Sequence, residues 1–162
     1  MEKCRRIEGL VDFIAGRFKN AVEIGIGHFP DLAFALLDRG INVFATDILP
    51  FPYSGLKVVV DDITCPDLSF YKGTDLIYSM RPPPELLPYM ARLAKTISAD
   101  LIIKPLSSEY AEGYRLIRNG NTTFFLMNNC HLPTLNPINV IPACLESFTF
   151  NCHSRLSRIF FK

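Results

Sequence analysis

One stretch, residues 21–47, limits the folds open to this chain more than any other. It consists of an apolar run, a glycine turn, a segment of helical period, and a second apolar run that is closed by an acid. In order, these parts are Ala21–Ile24, Gly25–Gly27, Asp31–Arg39, Asn42–Thr46 and Asp47. A strand, a helix and another strand in this order form a βαβ unit, whose two strands run parallel. We therefore expect an α/β protein.

The rest of the first 128 residues extends this pattern. Three further apolar runs predict buried strands, and two segments of helical period predict helices. The strands are Lys57–Val60, Asp75–Ser79 and Asp100–Lys104, and the helices cover residues 2–18 and about 85–97. The connections 48–56 and 64–74 are short and contain Pro and Gly, so we expect loops there.

A hairpin signal follows the fifth predicted strand. Asn119-Gly120-Asn121 separates two apolar runs, Tyr114–Arg118 and Thr122–Met127. Such a turn between apolar runs is typical of an antiparallel pair, which we place at the edge of the sheet. The predicted fold is a Rossmann-like, doubly wound, mostly parallel sheet of minimal size with a C-terminal antiparallel hairpin.

Charge divides the chain into two parts. Residues 129–162 contain only four charged residues, Glu146, Arg155, Arg158 and Lys162. We therefore predict a Rossmann-like core over residues 1–128, which begins with an amphipathic helix, and an atypical apolar tail over residues 129–162. So apolar a tail should pack on the core or on a second copy of the chain, which would make a homodimer.

The tail also holds Cys and His residues, which are the usual zinc ligands. They are Cys130, His131, Cys144, Cys152 and His153. Structural zinc sites bring their ligands in close pairs that are two to four residues apart, and adjacent Cys-His pairs do not fit that spacing. We therefore predict no metal site.

The overall charge and hydropathy argue against a nucleic-acid-binding, membrane or secreted protein. The formal net charge is +1, which gives no strong signal for nucleic-acid binding. No apolar run reaches the roughly 18 residues of a spanning helix, and the first twenty residues carry charges where a signal peptide would be apolar. We expect a cytoplasmic protein with no membrane partner.

The glycine turn is the strongest candidate for a binding site. Gly25 and Gly27 would let a ligand approach main-chain N–H groups ahead of a helix N-terminus, and His28 could hydrogen-bond to that ligand. Asp47 ends the next strand, where a carboxylate accepts the ribose hydroxyls of a nucleoside. The alternative is that the glycines only make a βα turn and that Asp47 only caps a loop.

Two residues decide which nucleoside is expected. A dinucleotide fingerprint places a third glycine where this chain has Pro30. Glu23, two residues before the first glycine, would repel a pyrophosphate but could receive a positively charged amino-acid group. The pattern favours S-adenosylmethionine over NAD.

These residues resemble a known family. Glu23–Gly27 is similar to the first motif of class I S-adenosylmethionine-dependent methyltransferases, and Asp47 matches the acid that ends their second strand. The resemblance implies that Asp62 reaches the adenine amino group. The longer strings from Val22 to Ile48 and from Tyr78 to Leu86 resemble a small family of archaeal Rossmann-like proteins of unassigned function. That resemblance covers about residues 1–128 and implies the fold.

The segment from Ser79 to Pro84 lies where methyltransferases that act on nitrogen place a polar residue, two prolines and an aromatic. Here Arg81 stands before the prolines and Glu85 stands at the aromatic position. We assign Ser79 to the cofactor site, and Arg81, Pro82 and Pro83 to the substrate site. An arginine there suits a carboxylate or phosphate, although it could equally be an exposed residue on a rigid turn.

Three functions remain open from the sequence. The first is an S-adenosylmethionine-binding protein, which would be a methyltransferase of unknown acceptor if it is an enzyme. The second is a non-catalytic nucleoside-binding or assembly module of the same fold. The third is an NAD-dependent oxidoreductase, against which Glu23 and Pro30 both argue.

Overall fold

The computed structural model describes residues 7–105 and 113–128, which form one mixed sheet with helices on both faces. The strands are β1 (Asn20–Ile24), β2 (Asn42–Asp47), β3 (Lys57–Val60), β4 (Leu76–Met80), β5 (Asp100–Lys104), β6 (Arg115–Asn119) and β7 (Thr122–Met127). The helices are α1 (Glu8–Ala15), α2 (Asp31–Asp38) and α3 (Leu87–Ile97), with short 3-10 helices at Leu68–Tyr71 and Pro84–Leu86.

The seven strands lie in the order β3-β2-β1-β4-β5-β7-β6. The first five of these run parallel, and β7 is antiparallel to both β5 and β6. The predicted Rossmann-like sheet with a C-terminal antiparallel hairpin is therefore confirmed. Two helices differ in detail. The helix predicted over residues 2–18 ends at Ala15, and the helix predicted at about 85–97 begins with a 3-10 turn and becomes α-helical at Leu87.

Two apolar clusters hold the layers together, one on each face of the sheet. Strand residues alternate between the faces, so that Ala21 and Tyr78 meet α1 and α2 while Val22 and Ile77 meet α3. All four of these side chains are buried. The alternation shows why near-continuous apolar runs were the right signal for strands that are covered on both faces.

The connections after β2 and β3 contain no α-helix, as the loops predicted at 48–56 and 64–74 required. One 3-10 helix, Leu68–Tyr71, is the regular structure between β3 and β4. Apolar side chains in this part of the molecule are consequently exposed, among them Ile48, Leu49, Val60, Leu68 and Phe70. The β2–β3 side of the sheet is therefore only partly covered.

The parallel strands end together at one edge of the sheet, which we call the carboxyl edge, and begin at the opposite, amino edge. At the carboxyl edge β1 lies between β2 and β4, because the chain proceeds to one side after β1 and to the other side after β3. Ligands of open α/β sheets bind at such a topological switch point. The glycine turn after β1 occupies that point.

Predictions for residues 129–162 lie outside the described residues. These are the separate tail, its packing on the core, and the Cys and His residues that were judged unsuited to metal binding. The homodimer expected through this segment has no support in the described ranges. Within those ranges, no helix combines the length and the apolar character needed to cross a membrane.

Candidate functional site

The turn after β1 depends on two glycines with left-handed backbones. Gly25 has a φ of 72° and Gly27 a φ of 50°, which side chains with a Cβ rarely adopt. The Gly25 N–H donates to the carbonyl of Thr46 at 2.8 Å, which fastens the turn to β2. A Cβ added at either glycine would meet nothing within 4 Å. The glycines thus border open space in which a ligand could approach the backbone.

Glu23 lies on β1 just before this turn and is fully buried. Both of its carboxyl oxygens lack a hydrogen-bond partner in the described part of the chain. Burial raises the pKa of Glu23 from 4.5 to about 8, the Tyr78 hydroxyl lowers it in part, and the charge of Asp31 raises it further. The protonated form therefore predominates at neutral pH.

Tyr78 is the cross-strand neighbour of Glu23, on β4. Its ring is buried in the core, and burial together with the nearby Glu23 raises the pKa of its hydroxyl well above 10. The two groups are close enough to affect each other's ionisation, yet the Tyr78 hydroxyl has no hydrogen-bond partner of standard geometry. Two adjacent buried polar groups are thus left unsatisfied, which is costly and uncommon.

Asp47 reaches the glycine turn from the end of β2. Its Oδ2 accepts the N–H of Gly27 at 3.0 Å, and its Oδ1 accepts the N–H of Leu49 at 3.1 Å. Asp47 therefore caps the turn and the loop after β2, as the alternative in the sequence analysis expected. Each carboxylate oxygen has two acceptor positions, so one position on each oxygen is left for ribose hydroxyls.

A cluster of aromatic side chains covers one side of the glycine turn. The Tyr53 hydroxyl donates to the carbonyl of Gly27 at 2.6 Å. The ring of Phe51 stacks on Tyr53 at 6.2 Å and meets the exposed His28 edge to face at 5.0 Å. The sequence analysis did not predict that Phe51 contacts both His28 and Tyr53 beside the turn. The proline on each side of it signalled only a turn, and no periodicity links residue 51 to residue 28.

Asp62 lies in the loop after β3 and is exposed. Its Oδ1 accepts both the N–H and the hydroxyl of Thr64, at 2.9 and 2.8 Å. The neighbouring Asp61 has a different role, because it accepts the Tyr71 hydroxyl at 2.6 Å. The Asp62 side chain therefore shapes its own loop after β3.

Ser79 and Arg81 occupy the end of β4. The Ser79 side chain is buried and donates its hydrogen to the carbonyl of Ile24 at 2.7 Å, so it ties β4 to β1. Arg81 has a left-handed backbone with a φ of 59°, which is uncommon for a residue with a long side chain. Its exposed guanidinium lies 4.8 Å from the centre of the Phe29 ring, beside the glycine turn.

The structure brings most of the predicted residues to the carboxyl edge. Glu23, Gly25, Gly27 and Asp47 form the centre, while His28 and Arg81 flank it. Pro82 and Pro83 continue from Arg81 into the next helix. In the described ranges, no three His, Cys, Asp or Glu side chains come together as metal ligands would.

Solved structures define the class of fold. The crystal structure of monomeric WbdD matches with a TM-score of 0.50 at 15% identity, over 80% of this chain and 41% of that chain. A SAM-dependent methyltransferase from Archaeoglobus fulgidus matches with a TM-score of 0.48 at 19% identity, over 63% of this chain and 51% of that chain. The fold is methyltransferase-like.

The chain belongs to UPF0146, an uncharacterised protein family whose profile it matches over residues 8–129. The UPF0146 protein of Archaeoglobus fulgidus is 40% identical over 120 residues, which is 73% of this chain and 92% of that relative. The resemblance to archaeal Rossmann-like proteins is therefore confirmed. The family match ends at residue 129, where the charge-poor tail begins.

Proposed function

We propose that this protein binds S-adenosylmethionine at the carboxyl edge of the sheet. One observation supports this most: Glu23, a fully buried carboxyl without a hydrogen-bond partner, lies directly before an open glycine turn. A buried acid in that state destabilises the fold, so a cationic ligand that completes it explains its presence. The ammonium group of S-adenosylmethionine would be the missing hydrogen-bond partner and would favour the ionised form of Glu23.

Other residues at the carboxyl edge would contact the ribose, the amino-acid part and the adenine of S-adenosylmethionine. Asp47 retains acceptor positions for the ribose hydroxyls, and the main chain at Gly25 and Gly27 is open to the amino-acid part of the ligand. Asp62, Ser79 and His28 are the further residues we assign to the cofactor. An adenine amino group would face Asp62 if the base lies over the loop after β3.

The same geometry disfavours NAD. A pyrophosphate at this turn would lie next to Glu23 and would add negative charge beside an acid whose ionisation burial and the charge of Asp31 already oppose, so it would bring no compensating charge. Pro30 occupies the position of the third glycine that permits close helix packing beside a pyrophosphate. A sulfonium ligand with an ammonium group has the complementary charge.

If the protein is a methyltransferase, the acceptor would meet Arg81, Pro82 and Pro83. The chemistry that the cofactor supplies is an electrophilic methyl group, and transfer needs mainly orientation of the acceptor. The guanidinium of Arg81 suits an acceptor that carries a carboxylate or phosphate. A protein that binds the cofactor and transfers nothing would instead be a nucleoside-binding module.

Gly25→Ala tests the proposed site. The substitution places a Cβ in the open space of the turn, and it also strains a left-handed backbone by about 1 kcal/mol. We expect S-adenosylmethionine affinity, measured by calorimetry, to fall at least tenfold.

Gly40→Ala is the matched control, because Gly40 has a φ of 79°, borders open space and follows α2 away from the turn. It should lose a similar amount of stability in urea unfolding while it binds S-adenosylmethionine like the unaltered protein. Equal affinity for both variants would remove the glycine turn from the site.

A further inference from the structure

A cavity lies away from the glycine turn, at the amino edge of the sheet. It has a volume of about 260 Å³ and is bordered by the first residues of three strands, Asn20, Asn42 and Lys57. A strand of five residues is about 16 Å long, so this cavity and the turn are at opposite ends of β1. The two sites do not share residues.

The cavity exists because the connection between β3 and β4 lacks a full helix. The 3-10 helix Leu68–Tyr71 covers only part of the sheet face, and Phe44 and Val59 remain as the wall of the cavity. Phe70 forms the rim and is 41% exposed. An apolar wall with an aromatic rim suits a small flat group.

The polar side chains that line the cavity include lysines and asparagines. Lys57 and Lys72 are exposed at the cavity, and the side chain of neither has a hydrogen bond or an ion pair among the described residues. Asn42 donates its side-chain amide to the Asn20 side chain at 3.2 Å. No acidic side chain lines the cavity.

The acid next to the lining residue Thr74 already has hydrogen-bond partners. Asp75 follows the lining residue Thr74, and its two carboxylate oxygens accept the N–H groups of Lys19 and Asn20, each at 3.0 Å. Its charge is therefore directed to the backbone, and the two lysines are left for an outside anion.

We propose that this cavity binds a small aromatic anion, an aryl phosphate or an aryl carboxylate. The ring would lie between Phe44 and Phe70, and the anionic group would be held by Lys57 and Lys72. The volume is below the 300 Å³ at which drug-sized sites begin, so the ligand is a single ring with its anion. Nothing in this proposal depends on S-adenosylmethionine binding.

Titration of the full chain with phenyl phosphate and with benzoate, followed by NMR, tests the proposal. We expect saturable shifts at Val59, Phe70 and Gly73 with one or both anions, and the stronger of them identifies phosphate or carboxylate as the preferred group. Inorganic phosphate and phenol should bind at least tenfold more weakly, because each lacks half of the recognised chemistry. Equal binding of phenol would contradict the anion site.

Lysine variants complete the test. Lys57→Met and Lys72→Met should each weaken binding of the better anion by about tenfold, because a charge-assisted contact is lost. Lys95→Met on α3 is the control and should bind normally. Unchanged affinity in both cavity variants, or shifts that never saturate at 10 mM ligand (roughly the weakest affinity of interest), would overturn the proposal. If either variant fails to fold, Lys57→Gln or Lys72→Gln replaces it.

Discussion

Glu23→Gln should make the protein more stable at pH 8 and weaken its binding of S-adenosylmethionine. The folded protein raises the pKa of Glu23 from 4.5 to about 8, so the folded state holds this proton more tightly than the unfolded state does. The stability that the protonated acid contributes is present below pH 4.5 and is lost as the pH rises towards 8. At 1.36 kcal/mol per pKa unit, the complete loss is roughly 5 kcal/mol.

Glutamine does not titrate, so the variant lacks this decline. We expect the free energy of unfolding of the two proteins to diverge between pH 5 and 8, with the variant the more stable at the alkaline end. Urea unfolding at four or five pH values measures the difference. Glu85→Gln, at an exposed position before α3, is the control and should follow the unaltered protein. Parallel curves for Glu23→Gln and the unaltered protein would contradict the assigned pKa.

The same variant should bind S-adenosylmethionine at least tenfold more weakly, because a neutral amide cannot neutralise the ligand's ammonium group. A residue whose removal adds stability and costs binding is typical of a functional site. A variant that gains stability and keeps full affinity would mean that Glu23 does not contact the ligand, which would remove the strongest support for the proposal.

Gly9→Ala should destabilise the fold by about 3 kcal/mol, as overpacking against fixed backbone does. Gly9 lies in α1, where a Cβ would be 2.0 Å from the carbonyl oxygen of Asn119 at the end of β6. The Asn119 side chain also donates to the Gly9 carbonyl at 2.8 Å. To admit a methyl group, α1 must move away and weaken the Phe13–Phe124 ring contact at 4.9 Å.

Ala is the better helix former by about 1 kcal/mol, so propensity alone predicts the opposite sign. Gly16→Ala is the control, because its Cβ would lie 3.3 Å from the carbonyl of Asp12 and would meet no other element. We expect a change within about 1 kcal/mol for that variant in urea unfolding. A Gly9→Ala protein as stable as the control would show that α1 does not contact the β6–β7 turn so closely.

Most of the fold was predictable from local patterns. The central strands β1, β4 and β5 are almost fully buried and are visible as apolar runs. The predicted strands Lys57–Val60 and Asp100–Lys104 match the structure residue for residue. The hairpin was predictable from its Asn-Gly-Asn turn. Gly9 was not recognised as a contact point, because the approach of Asn119 joins positions 110 residues apart.

The site was predictable only in part. A glycine turn and an acid at the end of the next strand are separated by a fixed length of helix, so Gly25, Gly27 and Asp47 could be assigned from spacing. The contacts of these residues could not be predicted from spacing. Asp47 accepts the N–H of Gly27, and Ser79 donates to the carbonyl of Ile24, because neighbouring strands bring these residues together. Whether an acid is buried without a partner, as Glu23 is, depends on packing that no spacing reveals.

Calorimetric titration of the full chain with S-adenosylmethionine at pH 7 tests the central claim most directly. The experiment is run in two buffers with different ionisation enthalpies, and S-adenosylhomocysteine and NAD are titrated in parallel. An ammonium group next to Glu23 favours its ionised form, so binding must release a proton and the apparent enthalpy must depend on the buffer. Saturable binding of the first two ligands with proton release, and none of NAD, is the predicted result. Binding of NAD alone, or no heat and no saturation with S-adenosylmethionine at millimolar concentration, would contradict the account.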